Sequence, residues 1–229
     1  MNTVRRAAAL LLICLLLAGL TACATSPLTR EEQFSALVKG NLDEIYRGKA
    51  NSDYLKLTGS TAKDVTASYE RGLDQEVVFF CGYFSITAPS DRITREIKDL
   101  YREVYASTSY SVGKAVRVDD TTYTVEVIVQ PLDIMQSAID NHDSALASFH
   151  RKYDGVSRED LEGDELSAFE EDWAEAVIAM VRGRLTHITY RDAQTVNVRV
   201  TKQEDGSWQM NEDDLQTIDK LVLLYPASN

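Results

Sequence analysis

The sequence predicts an α+β fold in which helices pack on one face of a curved antiparallel sheet. Two observations carry that expectation. Apolar residues recur at helical spacing over most of the chain, and in two places the period switches to two around a short polar turn. The resulting order is three helices, a hairpin, two helices, a hairpin and a closing helix, which suits helices laid against an antiparallel sheet.

Thr29-Arg30-Glu31-Glu32 is a capping box, and it introduces Phe34, Leu37, Val38, Leu42 and Ile45 on one helical face that ends near Arg47-Gly48. A polar stretch follows. Thr61 to Asp64 opens a second helix with Val65, Tyr69, Leu73, Val77, Phe80 and Phe84 on one side, and after Pro89 and Ser90-Asp91 the residues Ile93, Ile97, Leu100, Tyr101 and Val104 mark a third. Tyr110, Val112, Val116 and Val118 then occupy even positions, Asp119-Asp120-Thr121 turns the chain, and Tyr123, Val125, Val127 and Val129 occupy odd ones. This is a hairpin, closed by Pro131.

From Leu132 the spacing of Met135, Ile139, His142, Leu146, Phe149 and Tyr153 is helical again, and Leu166, Phe169, Trp173, Val177 and Met180 mark another helix after an acidic loop. Ile188 and Tyr190 begin a strand that Val196, Val198 and Val200 continue, and Asp205-Gly206 turns it into Trp208 and Met210. Asn211 to Asp214 caps a closing helix carrying Leu215, Ile218 and Val222.

The start of the chain has a different character. Met1-Asn2-Thr3-Val4-Arg5-Arg6 is a short basic segment, and the apolar run from Ala7 to Leu20 follows, interrupted by Gly19. A run of about 14 residues is short of the roughly 17–25 a spanning helix needs, so residues 1–22 read as a secretory signal peptide. Leu20-Thr21-Ala22-Cys23 resembles the lipobox of bacterial lipoproteins. The resemblance implies a diacylglyceryl group on the Cys23 sulfur, cleavage before Cys23, and a palmitate-type acyl chain on the new N-terminus. Two buried acyl chains suffice for stable anchoring. Residues 23–28 would then form a short lipid-anchored tether reaching roughly 17 Å, and residues 29–229 a single extracytoplasmic domain at the cell membrane.

Removal of residues 1–22 takes away Arg5 and Arg6 and no acid, leaving 22 basic against 36 acidic residues, a net charge of −14. Such a surface repels nucleic acid, so no nucleic-acid partner is expected. With 44% hydrophobic residues the chain can bury a proper core. Cys14 leaves with the signal and Cys23 carries the lipid, so only Cys81 remains in the folded part, and no internal disulfide can form. Its neighbours Val78-Phe79-Phe80 and Tyr83-Phe84 make it a buried, inert thiol.

The segment Val196-Asn197-Val198-Arg199-Val200 through Glu204-Asp205-Gly206-Ser207-Trp208-Gln209-Met210 resembles the terminal hairpin of NTF2-like and cystatin-like domains in small lipoproteins of Gram-positive bacteria. The resemblance covers about half the chain. It departs from the family in the long helical block from Leu132 to Arg184, where one helix is usual.

Motifs that would carry chemistry are few. His142, His150 and His187 lack the one-turn spacing and intervening glutamate of a zinc helix. A calcium loop counted from Asp160 finds Glu162, Asp164 and Glu171 at its third, fifth and twelfth positions, but Glu165 at the sixth, where the turn needs glycine. No metal, cofactor or catalytic residue is therefore assigned. The expected function is a membrane-anchored, non-catalytic domain that binds a small molecule or an envelope protein; the alternatives are a cell-envelope hydrolase using carboxylates and a purely structural component. Tyr110, Tyr123, Tyr190 and Trp208, at or near the strands, are the candidate ligand-binding residues, against the plainer reading that they complete the core.

The anchor is directly testable. Cys23→Ala should abolish metabolic labelling of the protein with a radioactive fatty acid and leave the leader uncut by the lipoprotein peptidase. Undiminished labelling of the variant would place the lipid elsewhere.

Overall fold

The computed structural model describes residues 28–226; the leader, the lipobox and Cys23 lie outside the described residues. The fold is α+β, with a four-stranded antiparallel sheet in the order β1-β2-β3-β4 and helices on one of its faces. From residue 29 the sequence suggests one body, and the described residues group into two compact units. The first holds residues up to Gly72, Thr108–Pro131 and Arg191–Val222; the second holds Leu73–Ser107, Leu132–Tyr190 and the residues from Leu223. Among the described residues no helix is long and apolar enough to cross a membrane.

The first unit contains the sheet: β1 (Ser109–Arg117), β2 (Thr122–Gln130), β3 (Gln194–Lys202) and β4 (Trp208–Met210). Helix α1 (Arg30–Arg47) starts at the expected capping box, with Thr29 N–H donating to Glu32 Oε2 at 2.8 Å and Glu32 N–H to Thr29 Oγ1 at 3.2 Å. It ends at Gly48, whose φ of 60° suits glycine. Phe34, Leu37, Val38 and Leu42 bury its apolar face. The polar stretch after it holds a helix the periodicity does not reveal, α2 (Ser52–Thr58), capped by the Asn51 side chain. Seven residues are too few to display a helical period. Tyr54 of α2 is fully buried against Gly40 of α1 and donates its hydroxyl to Glu44 Oε2 at 2.7 Å. Burial and the Glu44 carboxylate push its phenol well above the ordinary value, so it remains a donor.

In the sheet, Tyr123, Val125, Val127 and Val129 of β2 face the helices together with Val198 and Val200 of β3, as alternation requires. The alternation predicted for β1 fails at its second half. A bulge between Val112 and Ala115 shifts the register, turns Ala115 inward, and leaves Val116 and Val118 outward at 61% exposure. The strand expected from Ile188 also starts later. Pro131 has no N–H to donate, so the β2–β3 ladder ends at Val129 with Gln194. Leu185–His187 is a 3₁₀ turn, and Tyr190 makes only an isolated bridge to Leu132, within the second unit. The closing helix α8 (Glu212–Val222) opens with Asp214 N–H on Asn211 Oδ1 at 3.0 Å and buries Leu215, Ile218 and Val222.

Helix α3 (Ala62–Tyr83) runs through both sets of residues, its part up to Gly72 counted with the first unit and the rest with the second. The second unit adds α4 (Asp91–Ala106), capped by Ser90 through Ile93 N–H, with Ile93, Ile97, Leu100, Tyr101 and Val104 fully buried. The long helical block divides into α5 (Ile134–Asp140), α6 (His142–Lys152) and α7 (Gly163–Arg182). Arg92 at the start of α4 pairs with Glu96 and, on α7, with Glu171 and Glu175, a shared network rather than an isolated exposed pair. Cys81 is buried, and desolvation pushes its thiol up to about 11, so it stays protonated at neutral pH.

Gly40 tests the packing of α1 on α2. A Cβ there would stand 2.2 Å from the Tyr54 ring, which has no room to retreat. Although alanine is the better helix former by about 1 kcal/mol, Gly40→Ala should destabilise by about 1–3 kcal/mol in urea unfolding. A stabilised variant would mean that Tyr54 moves freely.

Candidate functional site

The second unit holds a cavity of about 510 Å³, lined by Tyr83, Phe84, Ser85, Thr87, Phe149, Arg158, Phe169, Glu170 and Trp173. Its walls come from the end of α3 and the turn after it, from α6, from the loop before α7, and from α7 itself. Five aromatic rings are each only half-buried around it. Phe149 of α6 lies between Phe169 and Trp173 of α7, with ring centres 5.2 Å from each, and Tyr153 extends the cluster at 4.7 Å from Phe169. Lys152 and Tyr153 both bond Asp172, which fixes the end of α6 to α7.

The opposite wall is positioned by a helix end. After Tyr83 the chain closes α3 with Ile86 N–H donating to Cys81 O at 2.8 Å, the pattern of a helix terminated by a left-handed residue. That residue is Ser85, at φ 57°, the sole non-glycine residue with positive φ among the described residues. A side chain in this region is strained by about 1 kcal/mol or more, and such strain gathers at sites where the backbone must take one path. The indole N–H of Trp173 donates to Phe84 O at 2.8 Å, so the ring is held at this turn.

One charge is set among these rings. Glu170 is only 8% exposed; its Oε1 accepts from Arg158 Nε at 2.5 Å and its Oε2 accepts from Thr87 N–H at 3.4 Å. Arg158 also donates through Nη2 to Thr87 Oγ1 at 3.2 Å, while its side chain stays 47% exposed. The buried carboxylate is thus neutralised by a guanidinium that still reaches the cavity mouth. An apolar cavity of this size with a few polar groups is the usual form of a small-ligand site.

The four aromatics selected from the sequence stand elsewhere, and they do not form one cluster. Tyr123 and Trp208 are 8% and 6% exposed and pack with Phe34 in the first unit, at 4.8 Å from its ring each and 5.5 Å from one another, so they complete the core. Tyr110 donates to Asp43 of α1 at 2.8 Å beneath the Arg47 guanidinium; burial and Asp43 hold its phenol above the ordinary value. Tyr190 belongs to the second unit, 43% exposed, with its hydroxyl on Ser107 O at 2.7 Å. Phe149, Phe169, Trp173 and Phe84 appear in the sequence only as core positions of helices. The available signal was an excess of rings at positions i and i+4, as in Phe80/Phe84, Phe149/Tyr153 and Phe169/Trp173. His142 bonds Ile139 O and Asp143 on the surface, and among the described residues no three His, Cys, Asp or Glu side chains gather as metal ligands.

A family model described as Domain of unknown function (DUF5105) matches residues 38–223. No curated protein matches the chain. Among solved structures, ycdA of Bacillus subtilis subsp. subtilis str. 168, provisionally described as a lipoprotein, is similar to it with a TM-score of 0.54 and 16% identity. The likeness covers 84% of this chain and 56% of that one, so the chain spans little more than half the length of its structural neighbour.

Ser85 supplies a test of the pocket wall. Replacing it with glycine removes the Cβ from a left-handed position, and Ser85→Gly should raise the unfolding free energy by about 0.5–1 kcal/mol, seen as a higher urea midpoint at unchanged slope. A lower midpoint would show that the serine side chain stabilises the turn.

Proposed function

For this chain, which belongs to the DUF5105 family, we propose a lipid-anchored, extracytoplasmic protein whose second unit binds a small apolar ligand. The observation that carries the binding half is the cavity walled by five half-buried rings. Closing such a cavity with its own side chains would remove apolar surface from water at about 25 cal/mol per Å². The fold instead holds the rings in place around it, Trp173 by Phe84 O and Phe149 between two rings of α7. Rings fixed before a ligand arrives lower the ordering cost of binding.

The anchoring half is supported by the basic start, the apolar run and the Leu20-Thr21-Ala22-Cys23 box, and by a structural neighbour that is itself provisionally described as a lipoprotein. In this reading the lipid on Cys23 holds the protein at the outer side of the membrane. The tether is short and leads into the first unit, which therefore sits close to the bilayer.

A hydrolase acting through two carboxylates would need them about 5–9.5 Å apart across a bound substrate. The lining of this cavity contributes one carboxylate, Glu170, and both of its oxygens are occupied by Arg158 and Thr87. Binding is the reading the geometry favours.

The neutral fluorophore N-phenyl-1-naphthylamine tests it. Wild-type protein should bind one equivalent saturably with enhanced emission and energy transfer from Trp173. Phe149→Ala should weaken binding about tenfold, by roughly 1.4 kcal/mol, whereas Trp208→Phe, in the core of the first unit, should leave it unchanged. Absence of saturable binding, or equal loss in both variants, would refute a site at this cavity.

A further inference from the structure

We infer that the cavity selects small carboxylic acids with a ring-sized apolar body, the carboxylate being taken by Arg158 at the mouth; this rests on the binding reading above. Three features lead there. The lining divides into an aromatic cluster, Phe149 with Phe169 and Trp173, and a bonded polar group, Arg158 with Glu170 and Thr87. A ligand that uses both parts is amphipathic, with an apolar body on the rings and its polar end at that group.

The sign of that polar end follows from how the polar groups are used. Glu170 is buried, and its two oxygens already accept from Arg158 Nε and Thr87 N–H. A cationic ligand would have to displace Arg158 from Glu170 and leave the guanidinium without a carboxylate. Arg158 by contrast spends Nε and Nη2 on the protein, and its Nη1 has no protein partner among the described residues. Half of its side chain faces solvent. A planar guanidinium with an unspent N–H edge is suited to a carboxylate, which it can meet with charge-assisted hydrogen bonds.

Glu170 does more than cancel this charge. Holding Nε fixes the plane of the guanidinium before a ligand binds. It also tempers the attraction for anions, since the ligand carboxylate meets a paired cation. The protein's overall negative charge opposes long-range capture of acids, but across more than about 8 Å of physiological saline that repulsion is largely screened. Discrimination is then set within the cavity.

Displacement of N-phenyl-1-naphthylamine by three compounds sharing one ring system provides the test: 1-naphthaleneacetate, its neutral amide 1-naphthaleneacetamide, and 1-naphthalenemethylammonium. The acid should displace the probe about tenfold more tightly than the amide, and the ammonium most weakly. Arg158→Gln should bring acid and amide within twofold of one another. Glu170→Gln, which keeps one oxygen for Arg158 Nε, gives up the longer bond from Thr87 N–H and removes the competing charge, should tighten the acid severalfold relative to the amide. This second variant keeps the test open should Arg158→Gln unfold, which thermal melting reports. Equal binding of acid and amide by the wild type, or tightest binding of the ammonium, overturns the inference while the binding site stands. If the fluorophore itself does not bind, both readings fall together.

Discussion

Glu170 is a carboxylate taken almost entirely out of water, and the arrangement of the cavity follows from the need to satisfy it. A buried carboxylate without a counter-charge would be destabilising by several kcal/mol. Arg158 supplies the charge and Thr87 the backbone donor. To do so, the loop before α7 and the segment after α3 must both approach the same face of α7. Once they are held there, Tyr83 and Phe84 line the same cavity as Phe169 and Trp173, with Trp173 bonded to Phe84 O. The aromatic walls and the charged mouth are two results of one electrostatic requirement.

The first unit is organised differently. Its core is mostly hydrocarbon, and its buried polar side chains are Asn41, Glu44, Thr108 and Ser207, with Glu44 accepting from the Tyr54 hydroxyl. The Phe34, Tyr123 and Trp208 rings pack face and edge beneath the Arg30 guanidinium, which covers Phe34 and Trp208 at 5.8 and 5.7 Å. In this unit Phe34, Tyr46, Tyr54, Tyr123 and Trp208 are consumed by packing, whereas in the second unit the five rings that line the cavity all stay half-exposed. That contrast separates a scaffold from a candidate site more sharply than aromatic content does.

Most of the elements could be read from the residues because their ends carry local chemistry. Thr29 and Ser90 accept from backbone N–H groups of the first helical turn as their positions predict, and Asn211 does so for α8. Asp205-Gly206 turns β3 into β4 with Gly206 at φ 84°. Three features were not legible. Helix α2 is shorter than two full periods of apolar repeat; the bulge in β1 depends on the extra residue beside Gly113, which no alternation pattern displays; and the start of β3 is set by a proline on its neighbour, not by its own sequence. The cavity was hidden for another reason. A ring on the apolar side of a helix looks the same in sequence whether its far edge meets a second ring or an open space, so Phe149 and Trp173 read as core while Tyr123 and Trp208, which are core, read as candidates.

The bulge in β1 has a consequence for how copies of this protein meet one another. Among the described residues β1 is an edge strand of the sheet, nine residues long, and a regular edge of that length is a template on which a strand from another chain can pair. The register break between Val112 and Ala115 interrupts the row of outward-facing backbone donors and acceptors midway, and it places Lys114 and Arg117 beside the outward valines. An incoming strand would find two short, misaligned stretches instead of one continuous ladder. The irregular edge thus disfavours continuous edge-to-edge pairing of the sheet with a second copy.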